Sequence, residues 1–269
     1  MLARPLRKSV ARRGCRSCRL GRKPVRSRFA WALRSAARYV ENPRLFRLRA
    51  RGVLPELFER LDCPWFHSLG LATVLDIGAY IGRYAETIHA LLPRARIYSF
   101  EPLGDCFRQL EQRADRIPLL TALNYGLGDE AGEHSIQHHS FAPSSSLLKM
   151  TSLHERAFPD SAESQAVVIK LNRLDEVAEG FELPLPMLVK IDVQGFEDRV
   201  LRGGERTIRE AKAIIIETSF VPLYEGQPLF NDIRRQLTGW GFVYAGSVGE
   251  VRSRTTGEVL QEDSLFLNT

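Results

Sequence analysis

The sequence predicts an α/β fold, a doubly wound and mostly parallel sheet of seven strands that ends in an antiparallel hairpin. Three observations predict it. From about residue 54, short apolar runs of strand length alternate with stretches of helical period. A glycine-bearing turn, Gly78 to Gly82, joins the first run to the helix that follows. The last two runs lie close together in sequence, which suggests a terminal hairpin.

The elements follow in order. Residues 54–61 read as a helix before the first strand, 73–77. Helix 81–92 comes next and stops before Pro93, whose ring and missing N–H cannot continue it. Strand 95–100, helix 104–114 and strand 119–124 extend the alternation, which argues for parallel pairing. A more β-like insert follows, with strands near 133–138 and 166–171 around a polar loop holding Ser144, Ser145 and Ser146. Strand 187–191 and a short helix 196–202, ended by Gly203-Gly204, resume the pattern. Strand 213–217, helix 230–239 and strands near 241–246 and 263–268 complete it. No internal repeat is present.

Charge divides the chain. Residues 1–50 carry 16 Lys and Arg against one acid, Glu41, whereas the other 219 carry 22 basic and 31 acidic residues. The net charge of +6 therefore belongs to a tail, and residues 51–269 form an acidic domain with no basic nucleic-acid groove of its own. Residues 1–28 are Arg/Ser/Pro-rich and expected to be disordered. Phe29, Ala30, Leu33, Ala36, Ala37 and Val40 fall at helical spacing. A basic amphipathic helix over 29–40 would suit peripheral contact with an anionic membrane or an Arg-rich transit segment, and the plainer reading is a helix packed on the domain or an extension of no function. Cys15 and Cys18 have zinc-like spacing but no second pair. The absence of a disulfide framework, membrane span or secretory core leads to the expectation of a cytoplasmic protein.

Two constellations carry chemistry. Asp76-Ile77-Gly78-Ala79-Tyr80-Ile81-Gly82 is a strand end and turn, and Glu101 ends the next strand. An acid at that position suits two ribose hydroxyls. The spacing G-x-x-x-G lacks the third glycine of a dinucleotide site, and no Gly-Lys-Ser/Thr marks a phosphate loop. A ligand with an amino-acid end and a nucleoside end fits, and S-adenosylmethionine has that layout. The turn's amides would meet its carboxylate, and Asp76 would meet its ammonium or order the turn. The second constellation, Lys190-Ile191-Asp192-Val193-Gln194-Gly195-Phe196-Glu197, places Asp192 at another strand end, and Glu217 ends the neighbouring strand.

These stretches, with Phe100-Glu101-Pro102 and Leu223-Tyr224-Glu225-Gly226-Gln227, resemble the FkbM family of S-adenosylmethionine-dependent methyltransferases over about residues 70–269. The resemblance implies the class I methyltransferase (Rossmann-like) fold and O-methylation of a hydroxyl on a sugar, glycan or natural product. The family usually has Asn where this chain has Tyr80. The cofactor residues assigned on this basis are Asp76, Gly78, Ala79, Tyr80, Gly82, Glu101, Pro102 and Asn124. Asp192 is the first choice for the base that takes the acceptor's proton and Glu217 the second, with His138 and His139 as rivals. Ser144, Ser145, Ser146, Tyr224 and Glu225 are assigned to the acceptor pocket. No metal is expected, although Asp192, Glu217 and Asn124 could be arranged around one. The expected partner is a small molecule or glycan, without specific nucleic-acid binding. The alternatives are an RNA or protein methyltransferase recruited by the basic tail, and a binding module that kept the fold without the chemistry.

Overall fold

The structure is a computed structural model and describes residues 37, 39–139, 146–148, 150–151, 164–253 and 256–268. The chain divides into two units, Met1–Phe46 and Arg47–Thr269. In the first, residues 39–41 are helical, and the Tyr39 ring meets Phe46 edge-on at 6.2 Å. A short helix, α1 (Arg44–Ala50), runs through the division. Among the described residues, no helix is long and apolar enough to cross a membrane.

The second unit opens with α2 (Pro55–Leu61) and α3 (Pro64–Ser68), each with proline in its first turn, where the missing N–H costs nothing. Then come β1 (Thr73–Ile77), α4 (Arg83–Leu91), β2 (Arg96–Phe100), α5 (Gly104–Ala114) and β3 (Leu120–Leu123). The insert contributes β4 (Gly126–Leu127), β5 (Gly132–His139) and β6 (Ser164–Asn172), a separate three-stranded sheet in the order β4-β6-β5. The remaining elements are α6 (Leu174–Val177), β7 (Met187–Ile191), α7 (Glu197–Gly203), α8 (Glu205–Ile208), β8 (Ala213–Ser219), α9 (Phe230–Gly239), β9 (Phe242–Arg252) and β10 (Val259–Asn268).

The main sheet has the order β3-β2-β1-β7-β8-β10-β9. Its first five strands are parallel, and β10 runs antiparallel to both neighbours. This is the class I methyltransferase arrangement with its terminal hairpin. The order reverses beside β1, so the carboxyl ends of β1 and β7 open onto the switch point where such sheets bind ligands.

Strand alternation decides what faces that crevice. Leu75, Ile77, Val189, Ile191, Ile214 and Ile216 enter one apolar core together with Ile233 and Leu237 of α9. The intervening positions, Asp76, Lys190 and Glu217, therefore turn to the opposite face. Register aligns them, since Asp76 pairs with Ser99 on one side and Lys190 on the other.

The elements differ from expectation mainly at their ends. Helix α4 begins at Arg83 because the turn continues to Gly82, whose φ of 82° is left-handed. The strands of the hairpin are longer than their apolar runs, since half of β9 is exposed and its pairing partner, not its hydrophobicity, holds it. The two-residue β4 lies beyond sequence detection.

Candidate active site

Beneath the glycine turn, Asp76 is completely buried. One of its oxygens accepts the Ser99 hydroxyl at 3.0 Å, and the other, Oδ1, has no hydrogen bond and lies 3.9 Å from Lys190 Nζ. Burial raises its pKa, with Lys190 and Ser99 pulling the other way. Asp76 thus orders the floor of the site. The turn itself is closed internally. Gly78 and Ala79 donate to the Phe100 carbonyl, Gly82 donates to that of Ala79, and Tyr80 N–H donates to Glu101 Oε2 at 2.8 Å. These four amides are therefore engaged within the fold, and the expectation that the turn would present them to a carboxylate does not hold for them.

Glycine is required at Gly78 for two reasons. Its φ is 82°, and a Cβ there would lie 1.9 Å from the Asp192 carbonyl oxygen. The glycine turn and the Asp192 loop thus touch backbone to backbone.

Glu101 is gripped from two sides. Leu103 N–H donates to Oε1 and Tyr80 N–H to Oε2, both at 2.8 Å. Burial lifts its pKa to about 7 against the pull of these two donors. Each oxygen keeps a lone pair for a further donor. Asn124 does not reach outward. Its amide donates to the Glu101 carbonyl at 3.0 Å and toward that of Pro102 at 3.4 Å, clamping the end of β2.

At the neighbouring strand ends lies a network of side chains. Lys190 Nζ donates to Asp192 Oδ2 at 3.1 Å and to the Gly78 carbonyl at 3.4 Å, above the Tyr84 ring. Burial works against its charge, but Asp192, Asp76 and Asp263 outweigh burial and raise its pKa. It is a fixed cation and cannot serve as a base. Gln194 Nε2 donates to Asp192 Oδ1 at 2.8 Å and to Glu217 Oε2 at 2.9 Å. Gln261 Nε2 reaches the same Glu217 oxygen at 2.9 Å. Burial drives the Glu217 pKa well above the usual carboxylate range, and Asp192, Glu197 and Asp263 add to it. Glu197 accepts Val193 N–H and Gly195 N–H through one oxygen, and burial brings its pKa to about 7. It therefore staples the loop after Asp192.

Of the residues assigned to an acceptor, Ser146 and Tyr224 have other work. Tyr224 is completely buried, and its hydroxyl donates to Gln194 Oε1 at 2.9 Å. The Ser146 hydroxyl donates to the Gln194 carbonyl at 2.6 Å and accepts from Leu148 N–H. Both support the loop from behind. Glu225 is exposed. Ser144 and Ser145 lie outside the described residues, as do the side chains of His138 and His139.

Sequence reasoning missed three participants. Lys190 is two residues from Asp192 on a strand, so period 2 already puts both on one face. Gln194 precedes a glycine in a turn, a weak sign of unusual backbone, and it adopts φ 55°. Gln261 carries no local signal, because only the pairing of β10 with β8 brings it to Glu217.

The arrangement offers an acid-rich, water-accessible crevice, with Asp192 about one-third exposed, next to a rigid glycine turn. Such a site can hold a cation and accept a proton from a weakly acidic group.

A model of the methyltransferase FkbM domain matches residues 76–244. The chain is also similar to a hexuronic acid methyltransferase, AglP, of Haloferax volcanii, at 30% identity over 143 residues. That match covers 53% of this chain and 54% of the relative, so it spans about half the relative's length. A 2-O-methyltransferase, NoeI, of Sinorhizobium fredii is 25% identical over 192 residues, covering 68% of this chain and 79% of the relative. Among solved structures, methyltransferase FkbM from Methylobacillus flagellatus aligns with a TM-score of 0.48 at 16% identity, covering 77% of this chain and 47% of that one.

Proposed function

This chain belongs to the methyltransferase FkbM family, and on that premise we propose that it is an S-adenosylmethionine-dependent O-methyltransferase acting on a hydroxyl of a sugar, glycan or natural-product small molecule. The observation that carries the reading is the meeting, at one sheet edge, of the Gly78–Gly82 turn and Glu101 with the carboxylates Asp192 and Glu217. The sugar and natural-product acceptors are supported by the relatives named as hexuronic acid methyltransferase and 2-O-methyltransferase.

The residues present fit the cofactor. The lone pairs left on Glu101 suit two ribose hydroxyls. Asp76 Oδ1, which has no hydrogen bond, and the carboxyl groups gathered around Lys190 favour a positively charged ligand. When bound, the cofactor supplies a methyl group already activated on a sulfonium. The protein's remaining task is to orient the acceptor oxygen and remove its proton.

Asp192 is the base in this reading. Its carboxylate is held by Lys190 and Gln194, yet it remains reachable from solvent. Lys190, a fixed cation bonded to Asp192, does not compete for the proton. The reading extends to a cytoplasmic location and leaves residues 1–50 available for an anionic membrane surface.

The test has two stages. Calorimetry with S-adenosylmethionine should show binding, and its absence would favour a non-catalytic module. Labelled methyl transfer should then be assayed across sugars, oligosaccharides and small alcohols, with RNA and protein as controls. Label entering only RNA or protein would overturn the acceptor assignment.

A further inference from the structure

A second concavity lies against the terminal hairpin. It is a groove of about 920 Å³ lined by α2, α3, β9 and β10. No residue assigned to the cofactor or the acceptor is among those lining it. Its wall includes Trp65, which is 39% exposed, beside the aliphatic side chains of Ala245, Leu265 and Leu267. An indole offers a large, rigid apolar face.

The polar groups of the groove gather at one spot. Arg60 Nη1 donates to the Val248 carbonyl at 2.5 Å, which anchors the guanidinium. Among the described residues, Arg60 Nε and Nη2 have no protein acceptor. A Cβ on Gly249 would lie 2.5 Å from Asp263 Oδ2 and 3.1 Å from Arg60 Nη1. The glycine therefore leaves a gap bordered by a carboxyl and a guanidinium together. Among the described residues, the Asp263 carboxyl makes no hydrogen bond or ion pair. Glu250 and Arg252, which also line the groove, pair with each other at 2.5 Å.

Asp263 also joins the groove to the candidate active site. It stands opposite Glu217 in the register of β10 and β8. Glu217 in turn shares the Gln194 amide with Asp192.

An exposed indole, aliphatic neighbours, and a donor and an acceptor at one spot match the chemistry of a pyranose ring. Its C–H face can lie on the indole, while its hydroxyls accept from the guanidinium and donate to the carboxyl. A lipid or an apolar natural product would leave both polar groups unmatched. We propose that this groove is a sugar subsite, with Trp65 as its platform and Arg60 and Asp263 as hydroxyl partners, and that the acceptor is an oligosaccharide with one unit at Asp192 and a further unit in the groove. The sugar binding stands without the methyl-transfer reading, and the link to the acceptor rests on it.

The test uses the full chain without cofactor. Neutral tetrasaccharides of glucose, galactose, mannose and N-acetylglucosamine are titrated in turn and followed by two-dimensional NMR. The Trp65 indole N–H and the amides of Gly246 and Gly249 should shift with at least one of them. Trp65→Ala should weaken that binding about tenfold, and Trp65→Phe should restore part of it. Gly249→Ala, which fills the gap, should weaken it too. Native amide spectra establish that each variant is folded. No shift at these positions with any tetrasaccharide, or equal affinity in wild type and Trp65→Ala, overturns the proposal. Signals that instead change with protein concentration alone mark pairing of two copies along the outer edge of β9, and overturn it as well. Calorimetry with S-adenosylmethionine separates the two claims. Sugar in the groove without cofactor binding sinks the methyl-transfer reading and leaves the subsite standing. Cofactor binding and methyl transfer to single sugars or small alcohols, with a silent groove, sinks the subsite alone.

Discussion

The two halves of the sheet edge solve the same problem in different ways. In the half proposed to hold the cofactor, Glu101 is held by main-chain amides of Tyr80 and Leu103. In the half proposed to hold the acceptor, Glu217 is held by the side-chain amides of Gln194 and Gln261. Both turns also contain one non-glycine residue in the left-handed region, Tyr80 at φ 51° and Gln194 at φ 55°. Main-chain donors survive side-chain change and suit a ligand that never varies. Side-chain donors can be exchanged one at a time and suit an acceptor that differs between relatives.

The halves meet at Gly78, so the largest expected effect is there. In Gly78→Ala the new Cβ would lie 1.9 Å from the Asp192 carbonyl oxygen and 2.9 Å from its carbon, and backbone cannot yield as a side chain does. We expect a loss of roughly 3 kcal/mol or more in chemical denaturation, with cofactor binding abolished. Gly82→Ala sharpens the point, because its Cβ would crowd side-chain atoms, Leu110 Cδ1 at 2.8 Å and Arg113 Cδ at 3.1 Å, which can yield, and it should cost less. Equal losses would mean that the two loops are not rigidly joined.

Asp192→Asn tests the division of labour. Turnover should fall by roughly a hundredfold to ten-thousandfold, the usual contribution of a general base. Cofactor affinity measured by calorimetry should change much less, since Asp192 lies in the acceptor half. Undiminished turnover would remove Asp192 from the mechanism. Glu101→Gln is the mirror test. An amide nitrogen would face either Tyr80 N–H or Leu103 N–H, leaving a buried donor unsatisfied at about 1–3 kcal/mol. Cofactor binding should weaken by roughly ten- to a hundredfold, and unchanged affinity would show that Glu101 only braces the turn.

Legibility follows the same division. The bounds of β1, α5, β7 and α9 coincide with the sequence reading, because each is a dense apolar or amphipathic run between clear breakers. That the glycine turn meets Glu101 was readable for a related reason: its parts are consecutive residues in a strand–turn–helix and one strand end. The acceptor half depends on contacts between residues far apart in sequence. Tyr224 meets Gln194 across 30 residues and Gln261 meets Glu217 across 44. Tyr224 reads as a pocket residue because sugar hydroxyls want paired hydrogen-bond donors and acceptors. Nothing local reveals that the fold buries it against the Gln194 amide.

Ionisation gives a smaller test that spans both halves. Glu101 and Glu197 each have a folded pKa of about 7, raised by burial above the ordinary value of 4.5. Between those values the folded chain binds more protons than the unfolded chain, so stability falls as pH rises from about 4.5 to about 7. Glu197→Gln keeps an oxygen for the Val193 and Gly195 amides but cannot ionise. Its stability should fall less over that pH range than the wild type's, as read by denaturant midpoints. An identical slope would mean that Glu197 does not hold the proton.

Tyr80→Asn should have the smallest effect, and it tests whether the cofactor half depends on main chain alone. Only the Tyr80 amide touches Glu101. Its ring packs instead against the cluster of Leu103, Cys106, Ile136, Ile169 and Leu171, which ties the turn to the inserted sheet. Asparagine sits more easily at φ 51°, which returns about 1 kcal/mol, while loss of a half-buried ring costs a similar amount. The two should nearly cancel, leaving stability within about 1 kcal/mol and cofactor affinity within about threefold of the wild type. A larger fall in affinity would give the ring a place in the cofactor site. The contrast between a main-chain half and a side-chain half would then fail at the one residue where this chain departs from the family's Asn.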